Sequence, residues 1–413
     1  MNIAFDLIVL PFHDWKKCEL EGFRTRDAHL LLEFEKHPAV RNILVIDRPI
    51  SISEILLKRR YWRVRGGSVV RQGYLTWLTQ VSPKIYVLDI VTHQLIRPLL
   101  LRFGWWGYIF RQPSIIKKIR SAIEFLGLKR IVLFIWSPLS TGLVGHLNET
   151  LLVFDALDNW LVHPEVTSGK EYIEQGYDVV RRKSHLIFTN SQDLKKFLGG
   201  NRDNVFYIPN GVSLDYFTSS DGVEIPGEME KIPSPRIGYV GKLAKRIDVD
   251  LVSFLATSMP HVNFVFIGPI LNRQWIRPLF KFKNIHFLGD KSYSRIPAYL
   301  LACDVCIIPH NLDTLNYQGN PLKLYEYLAA GKSVVTTNVG GVEVFIDLIT
   351  IARSPEEFLD GIQKYLVMTS DERRQMAQRL RKSLQQSFTW EYKAKEMIRL
   401  ISERFVVKAN ELS

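Results

Sequence analysis

Residues 307–337 read IIPHNLDTLNYQGNPLKLYEYLAAGKSVVTT: an apolar strand, a polar loop, a helix closed by glycine, and a second apolar strand. Asn320 is a favoured residue type for a helix N-cap. Pro321 suits the first helical position, where an amide hydrogen would lack an intrahelical acceptor in any case. The amides of Leu322 and Lys323 then open the helix unpaired, and the positive end of the helix dipole points with them toward whatever the loop encloses. Such a terminus holds anions, a diphosphate among them. Lys323 adds a point charge, and Glu326 projects from the same face three residues on, placed to accept hydrogen bonds from ribose hydroxyls. Gly331 ends the helix. A Lys and a Glu three apart on their own read as a surface ion pair; the flanking strands and the loop between them make the segment a candidate ligand site.

The same alternation of short apolar runs with helical patterns extends along the chain, which predicts α/β architecture with parallel sheets and crossover helices. Strands are expected over 3–10, 42–46, 85–88, 130–136, 151–155, 186–190 and 205–208. A second set follows over 236–240, 263–267, 285–288, 305–308 and 333–336. Between the sets, residues 221–235 hold Pro226, Pro233 and Pro235 with several acids, as a linker does. The expected division is therefore a first domain over 1–225, a second over 226–390, and a terminal helix over 391–413. A length of 413 residues with 46% hydrophobic content agrees with two cores. Ligands of open α/β sheets bind beyond the carboxyl ends of the strands, so two such domains facing across a cleft would hold one substrate each.

Composition narrows the function further. No basic stretch followed by an apolar run opens the sequence, and the longest apolar stretches are interrupted by charge, as by Arg102 within 99–110. The expectation is a cytoplasmic protein without a spanning helix. The cysteines number only three, so no disulfide framework is expected. Cys303 and Cys306 form a lone CxxC without the further cysteines a metal would need, and no metal site is expected.

The net charge of +12 is concentrated: residues 41–130 hold 17 Lys and Arg against 4 acids. Trp62, Trp77, Trp105 and Trp106 lie in the same stretch. Cations beside aromatic side chains suit an anionic membrane or a lipid-linked acceptor, which would place the protein on the inner face of the cell membrane. A plainly solvated basic face and a nucleic-acid stripe are the other readings, and nucleic acid is not the expected partner.

The pattern P-x-K-x-x-E-x-x-A-x-G over Pro321, Lys323, Glu326, Ala329 and Gly331 resembles the donor-nucleotide motif of the group 1 glycosyltransferases. Other segments resemble that family too: NSQDLKKFL and VFYIPNGVSLDYF over 190–217, PRIGYVGKLAKRIDVDLVSFLA over 235–256, VNFVFIGP over 262–269, and SFTW at 387–390. The resemblance covers about 151–403. It implies a GT-B fold of two Rossmann-like domains with the C-terminal helix crossing back to the first. It also implies transfer of a sugar from a nucleotide diphosphate sugar, UDP or GDP, to an oligosaccharide or lipid-linked acceptor in cell-envelope polysaccharide synthesis. Retention at the anomeric carbon is favoured, with neither cofactor nor metal. By the resemblance, Lys323 contacts the donor phosphates and Glu326 the ribose, with Asn320 and Leu322 beside them.

The glycine loop has a physical reading of its own: Gly238 and Gly241 permit close backbone approach to phosphate, and Lys242, Lys245 and Arg246 crowd it with positive charge. Gly268 and Tyr293 are expected at the rim where a base stacks. Departures from the family pattern are visible. Gln318 stands where many members carry an acid, Ile247 beside Arg246 where many carry a lysine, and Trp136-Ser137-Pro138 at the strand end where many carry a histidine.

On the acceptor side, Asp155 and Asp158 in FDALDNW end a strand and are candidates to position the acceptor hydroxyl or act as base. Glu21 and Arg24 are further candidates. Asp248 and Asp250 form an Asp-x-Asp, but it opens a helix, where acids are favoured without any metal. Two other functions compete with transfer: a sugar-nucleotide epimerase of the same fold, and a non-enzymatic lipid or nucleic-acid binder.

Overall fold

The computed structural model describes residues 3–58, 61–162, 166, 168–218, 224–312 and 319–411. Contacts divide the chain into two units, Met1–Ile208 with Ala394–Ser413, and Pro209–Lys393.

The sheet of the first unit runs Val205–Tyr207, Leu186–Thr189, Leu151–Ala156, Ile131–Ile135, Phe5–Leu10, Val40–Ile46, Ile85–Thr92, Thr76–Gln80, Ser68–Gly73, with Ile50–Ser51 added beside Ile85–Thr92. Its pairings are parallel except for those on either side of Thr76–Gln80. Phe5–Leu10, Ile131–Ile135 and Leu151–Ala156 are buried at every position. Their unbroken apolar runs reflect a sheet covered on both faces. The antiparallel hairpin Ser68–Gly73 with Thr76–Gln80 is not among the expected strands. Its outer strand is exposed at every position, so no apolar alternation marks it.

The second unit carries a parallel six-stranded sheet in the order Ile285–Phe287, Asn263–Ile267, Arg236–Val240, Val305–Ile308, Val334–Thr337, Thr350–Ala352. In each sheet the strand order reverses beside the first strand of the unit: at Phe5–Leu10 in one and at Arg236–Val240 in the other. Loops leaving the carboxyl ends on either side of such a reversal diverge and leave a crevice. The strand and helix pattern of the GT-B class is thus present in both halves.

The division falls after Ile208, not near residue 225. The proline-rich stretch is not an open linker: Met229 and Ile232 are buried in the core of the second unit, which draws the segment in. The last helix, Trp390–Glu411, begins in the second unit, and from Ala394 it counts with the first. There Phe405 meets Phe5 at 5.6 Å between ring centroids, and the Lys408 ammonium donates to the Thr150 carbonyl.

Candidate functional site

In the second unit the motif helix spans Leu322–Ala329, and Pro321 is its N-cap, one residue later than the Asn320 cap expected. Asn320 has a different place. Its carbonyl accepts from Asn210 Nδ2 at 2.8 Å, while its side chain is buried with neither amide atom paired among the described residues. Buried polar atoms without partners are uncommon, and at a crevice they mark where a ligand's polar groups fit. Gly341 makes room for that side chain: a Cβ there would stand 2.3 Å from Asn320 Nδ2, and its φ of 81° also favours glycine.

Two strand ends bring the remaining groups together. After Arg236–Val240 the chain turns through Gly241 to Arg246 and Ile247. Ile247 bridges His310 at the end of Val305–Ile308, and Asn311 donates its amide to the Arg246 carbonyl at 2.8 Å. Lys323 reaches into this corner. Its ammonium stands 3.4 Å from His310 Nε2 and 4.8 Å from the centre of the Tyr239 ring. A Cβ on Gly241 would lie 2.9 Å from Lys323 Cε, so glycine is what lets the lysine approach the loop backbone. Loss of hydration, reinforced by Arg246 and opposed by Glu326, lowers the Lys323 pKa to about 7. Burial, followed by Lys323 and Arg246, pushes His310 well below the usual imidazole range. Lys323 and Arg246 crowded beside a proton-poor imidazole, with Glu326 only partly offsetting them, give the corner a positive potential suited to an anion.

Glu326 is buried on the same helix. Burial raises the Tyr293 hydroxyl pKa far above normal, and a hydrogen bond with Glu326 adds to the shift. Tyr293 is therefore not an open ring at the rim. It is buried, with Tyr216 stacked on it at 5.2 Å and 11°, and it orients the Glu326 carboxylate. The partly exposed ring is Tyr216.

Gly268 packs against the glycine loop, since a Cβ there would meet the Gly241 carbonyl oxygen at 2.1 Å. Lys242 is exposed, and its carbonyl accepts from the Tyr239 hydroxyl. Leu322 is half-buried at the head of the helix. Gln318 lies outside the described residues. Asp248 caps the helix Val249–Ser258, its side chain accepting from the Leu251 amide at 2.9 Å. Cys303 and Cys306 are buried in the apolar core.

In the first unit the expected catalytic role of Asp155 meets a different geometry. Both carboxylate oxygens are engaged, by Arg26 at 2.9 and 3.0 Å and by Trp136 Nε1 at 2.7 Å, and the side chain is fully buried. A carboxylate so bound ties the helix Arg26–Lys36 to the sheet and has no oxygen turned to a substrate. Asp158, by contrast, is half-buried just beyond the same strand, and its carbonyl accepts from the Tyr177 hydroxyl. Glu21 and Arg24 pair with each other at 3.1 Å.

Sequence reasoning missed His13. It lies in the loop after Phe5–Leu10, at the reversal of the sheet, with its backbone amide 2.9 Å and its Nδ1 3.2 Å from the Asp27 carboxylate. Burial would raise the Asp27 pKa, but His13, hydrogen bonds from its ring and amide, and Thr25 outweigh it and hold the value at about 2. A carboxylate depressed in the folded state contributes stability that is full above its ordinary value near 3.8 and lost as pH falls through about 2. We expect Asp27→Asn to lower unfolding free energy at neutral pH by about 2 kcal/mol. Acid melts should show the difference between the two proteins shrinking below pH about 4; equal stability at neutral pH would remove this account.

The chain is similar to known proteins in part of its sequence and in its fold. A family model described as Glycosyl transferase-like matches residues 246–399. A glycosyltransferase of Bacillus subtilis (strain 168) named for teichuronic acid biosynthesis is 24% identical over 187 residues, which are 44% of this chain and 47% of that protein. The chain thus spans about half the length of that curated relative. The crystal structure of Anabaena HepE in complex with UDP and glucose superposes with a TM-score of 0.65 at 15% identity, covering 97% of this chain and 100% of that one. The UDP-forming trehalose-phosphate synthase of Burkholderia xenovorans, in complex with glucose-6-phosphate, gives 0.65 at 12% identity over 96% and 99%. At these identities the solved structures establish the fold.

Proposed function

We propose, because this chain is a group 1 glycosyltransferase-like protein of the GT-B fold, that it moves a sugar from a nucleotide diphosphate sugar to a glycan or lipid-linked acceptor in cell-envelope polysaccharide synthesis. The observation that carries the reading is the corner made by Lys323, the Gly241 loop, Arg246 and the Asn320 amide, which has no partner among the described residues, at the head of the motif helix. UDP is the nucleotide favoured, since HepE is described in complex with UDP and with UDP-glucose. The relative named for teichuronic acid biosynthesis favours an envelope glycan as acceptor.

Breaking the bond between the anomeric carbon and the diphosphate leaves negative charge on the departing oxygen. The helix amides, Lys323 and Arg246 are fixed donors and cations for that charge, which is the largest service a protein performs in such a reaction. They supply it without a metal, and transfer is expected to persist in excess chelator. Glu326, steadied by Tyr293, accepts from the ribose hydroxyls, and Tyr216 offers a ring face to the base. On the acceptor side the candidate groups are Asp158, half-buried beyond its strand, and His13, oriented by Asp27. Retention of anomeric configuration is the expected outcome.

The test is a thermal-shift panel of UDP, GDP, ADP, CMP and dTDP on the native protein and on Glu326→Ala. A ligand present at about 100 times its dissociation constant stabilises the folded state by about 2.7 kcal/mol. UDP should raise the native melting temperature and leave the variant unmoved. No response to any nucleotide at millimolar concentration would remove the assignment. Release of a free rearranged sugar without acceptor would instead identify an epimerase.

A further inference from the structure

We infer that one end of the first unit's sheet is a docking face for a bilayer carrying anionic lipids, with Ile96, Leu99 and Leu100 entering the headgroup zone. Three segments reach that end together. Ile50 and Ser51 pair in parallel with Val91 and Thr92, so the helix Ile52–Lys58 and the stretch that follows Thr92 leave the sheet side by side. The hairpin turn arrives beside them: the Val91 amide donates to the Leu75 carbonyl at 2.9 Å, and the Tyr74 hydroxyl is 2.7 Å from His93 Nε2.

What these segments present is apolar to a degree rare at a surface. Leu56, Leu57, Ile96 and Leu100 are 73%, 67%, 67% and 73% exposed, and Tyr74 is 74% exposed. Scattered apolar residues need no explanation, but several on adjoining turns mark a contact surface.

Charge selects the partner. Within residues 48–123 the acids are Glu54 and Asp89, and both are buried in ion pairs, with Arg48 at 3.0 Å and with Lys16. Exposed charge contributed by that stretch is therefore positive throughout, and Arg65, Arg71, Arg97 and Arg102 all lie at the surface. Trp62 stands edge-on to Trp77 at 4.5 Å, with the Arg63 guanidinium 5.1 Å from its ring. A protein partner would need a matching acidic face with apolar sockets. An anionic leaflet offers both properties along any plane it presents, and short amphipathic helices with arginines beside leucines sink about 5–10 Å into its interface. No helix among the described residues is long and apolar enough to cross a membrane, so the contact would be peripheral.

The inference names a partner for the proposed transferase, yet its test needs no donor. The full chain is floated with vesicles of phosphatidylcholine alone and with vesicles holding about a third phosphatidylglycerol, in about 0.1 M and about 0.5 M salt, where the screening length is about 10 Å and about 4 Å. Binding is expected on the anionic vesicles only and should weaken at the higher salt. The pair Ile96→Ser with Leu100→Ser should weaken it by about tenfold or more. Because both side chains are exposed, the melting temperature and the nucleotide-induced shift should not change, which separates lost docking from lost folding. Equal binding to both vesicle types, or binding that survives the double substitution, overturns the inference. So does a native protein that floats with neither and is instead a dimer by light scattering that the substitutions dissolve. A transferase reading that fails on nucleotides leaves the vesicle result standing.

Discussion

Asp155→Ala should destabilise the protein by about 3–5 kcal/mol, because it removes the two-point carboxylate from the buried Arg26 guanidinium. Arg26 is 4% exposed and makes a two-point pair with Asp155, and Trp136 Nε1 loses its acceptor in the same substitution. In a unit of this size that is a fall of about 10 °C in melting temperature. Asp155→Asn keeps the shape and one acceptor oxygen, so it should fall between the two. The position at a strand's carboxyl end is where a catalytic acid is usually sought, and the same variants discriminate. A melting temperature unchanged while turnover disappears would return Asp155 to the chemistry. The geometry favours the opposite result, with any loss of turnover tracking the folded fraction. Asp158→Asn should leave stability within about 0.5 kcal/mol, as for a surface substitution, and affect the acceptor's KM or kcat.

Lys323→Ala should reduce kcat by about two to three orders of magnitude, the scale of losing one fixed charge-stabilising group from the departing side of a reaction. Fold should be kept, since the site is crowded with like charge from Arg246 and removal of the lysine relieves it. The pKa of about 7 adds a signature that a merely structural lysine would not give. A bound diphosphate favours the charged ammonium and raises that value, so nucleotide binding takes up a proton once the pH exceeds about 7. Affinity should fall as pH rises through and beyond that value. Calorimetry of UDP binding in buffers of different ionisation heat measures the uptake directly. Lys323→Arg, whose guanidinium stays charged throughout the range, should abolish the uptake. Binding with no proton linkage in the native protein would mean that the ammonium does not meet the phosphates.

The sequence by itself determined the α/β class, the strands of both sheet centres and the helix of residues 322–329. These rest on local rules: unbroken apolar runs for strands covered on both faces, and Gly331 for the stop. Lys323 and Glu326 were legible for the same reason, since three residues apart on a helix they share a face whatever the rest of the chain does. Only the tertiary structure decided which polar groups are consumed by the fold and which remain for a ligand. Asp155 and Asp158 look alike in FDALDNW, and a partner 129 residues away, Arg26, takes the first. Tyr293 read as an open ring until Tyr216 covered it, and His310 and Arg246 became neighbours through a bridge between two strand ends. His13 had no motif to announce it; its tie to Asp27 is a loop folded back on a helix start. Periodicity and capping act over a few residues and are written in the chain, whereas an ion pair or a hydrogen bond across a sheet depends on the register of strands that sequence spacing does not contain.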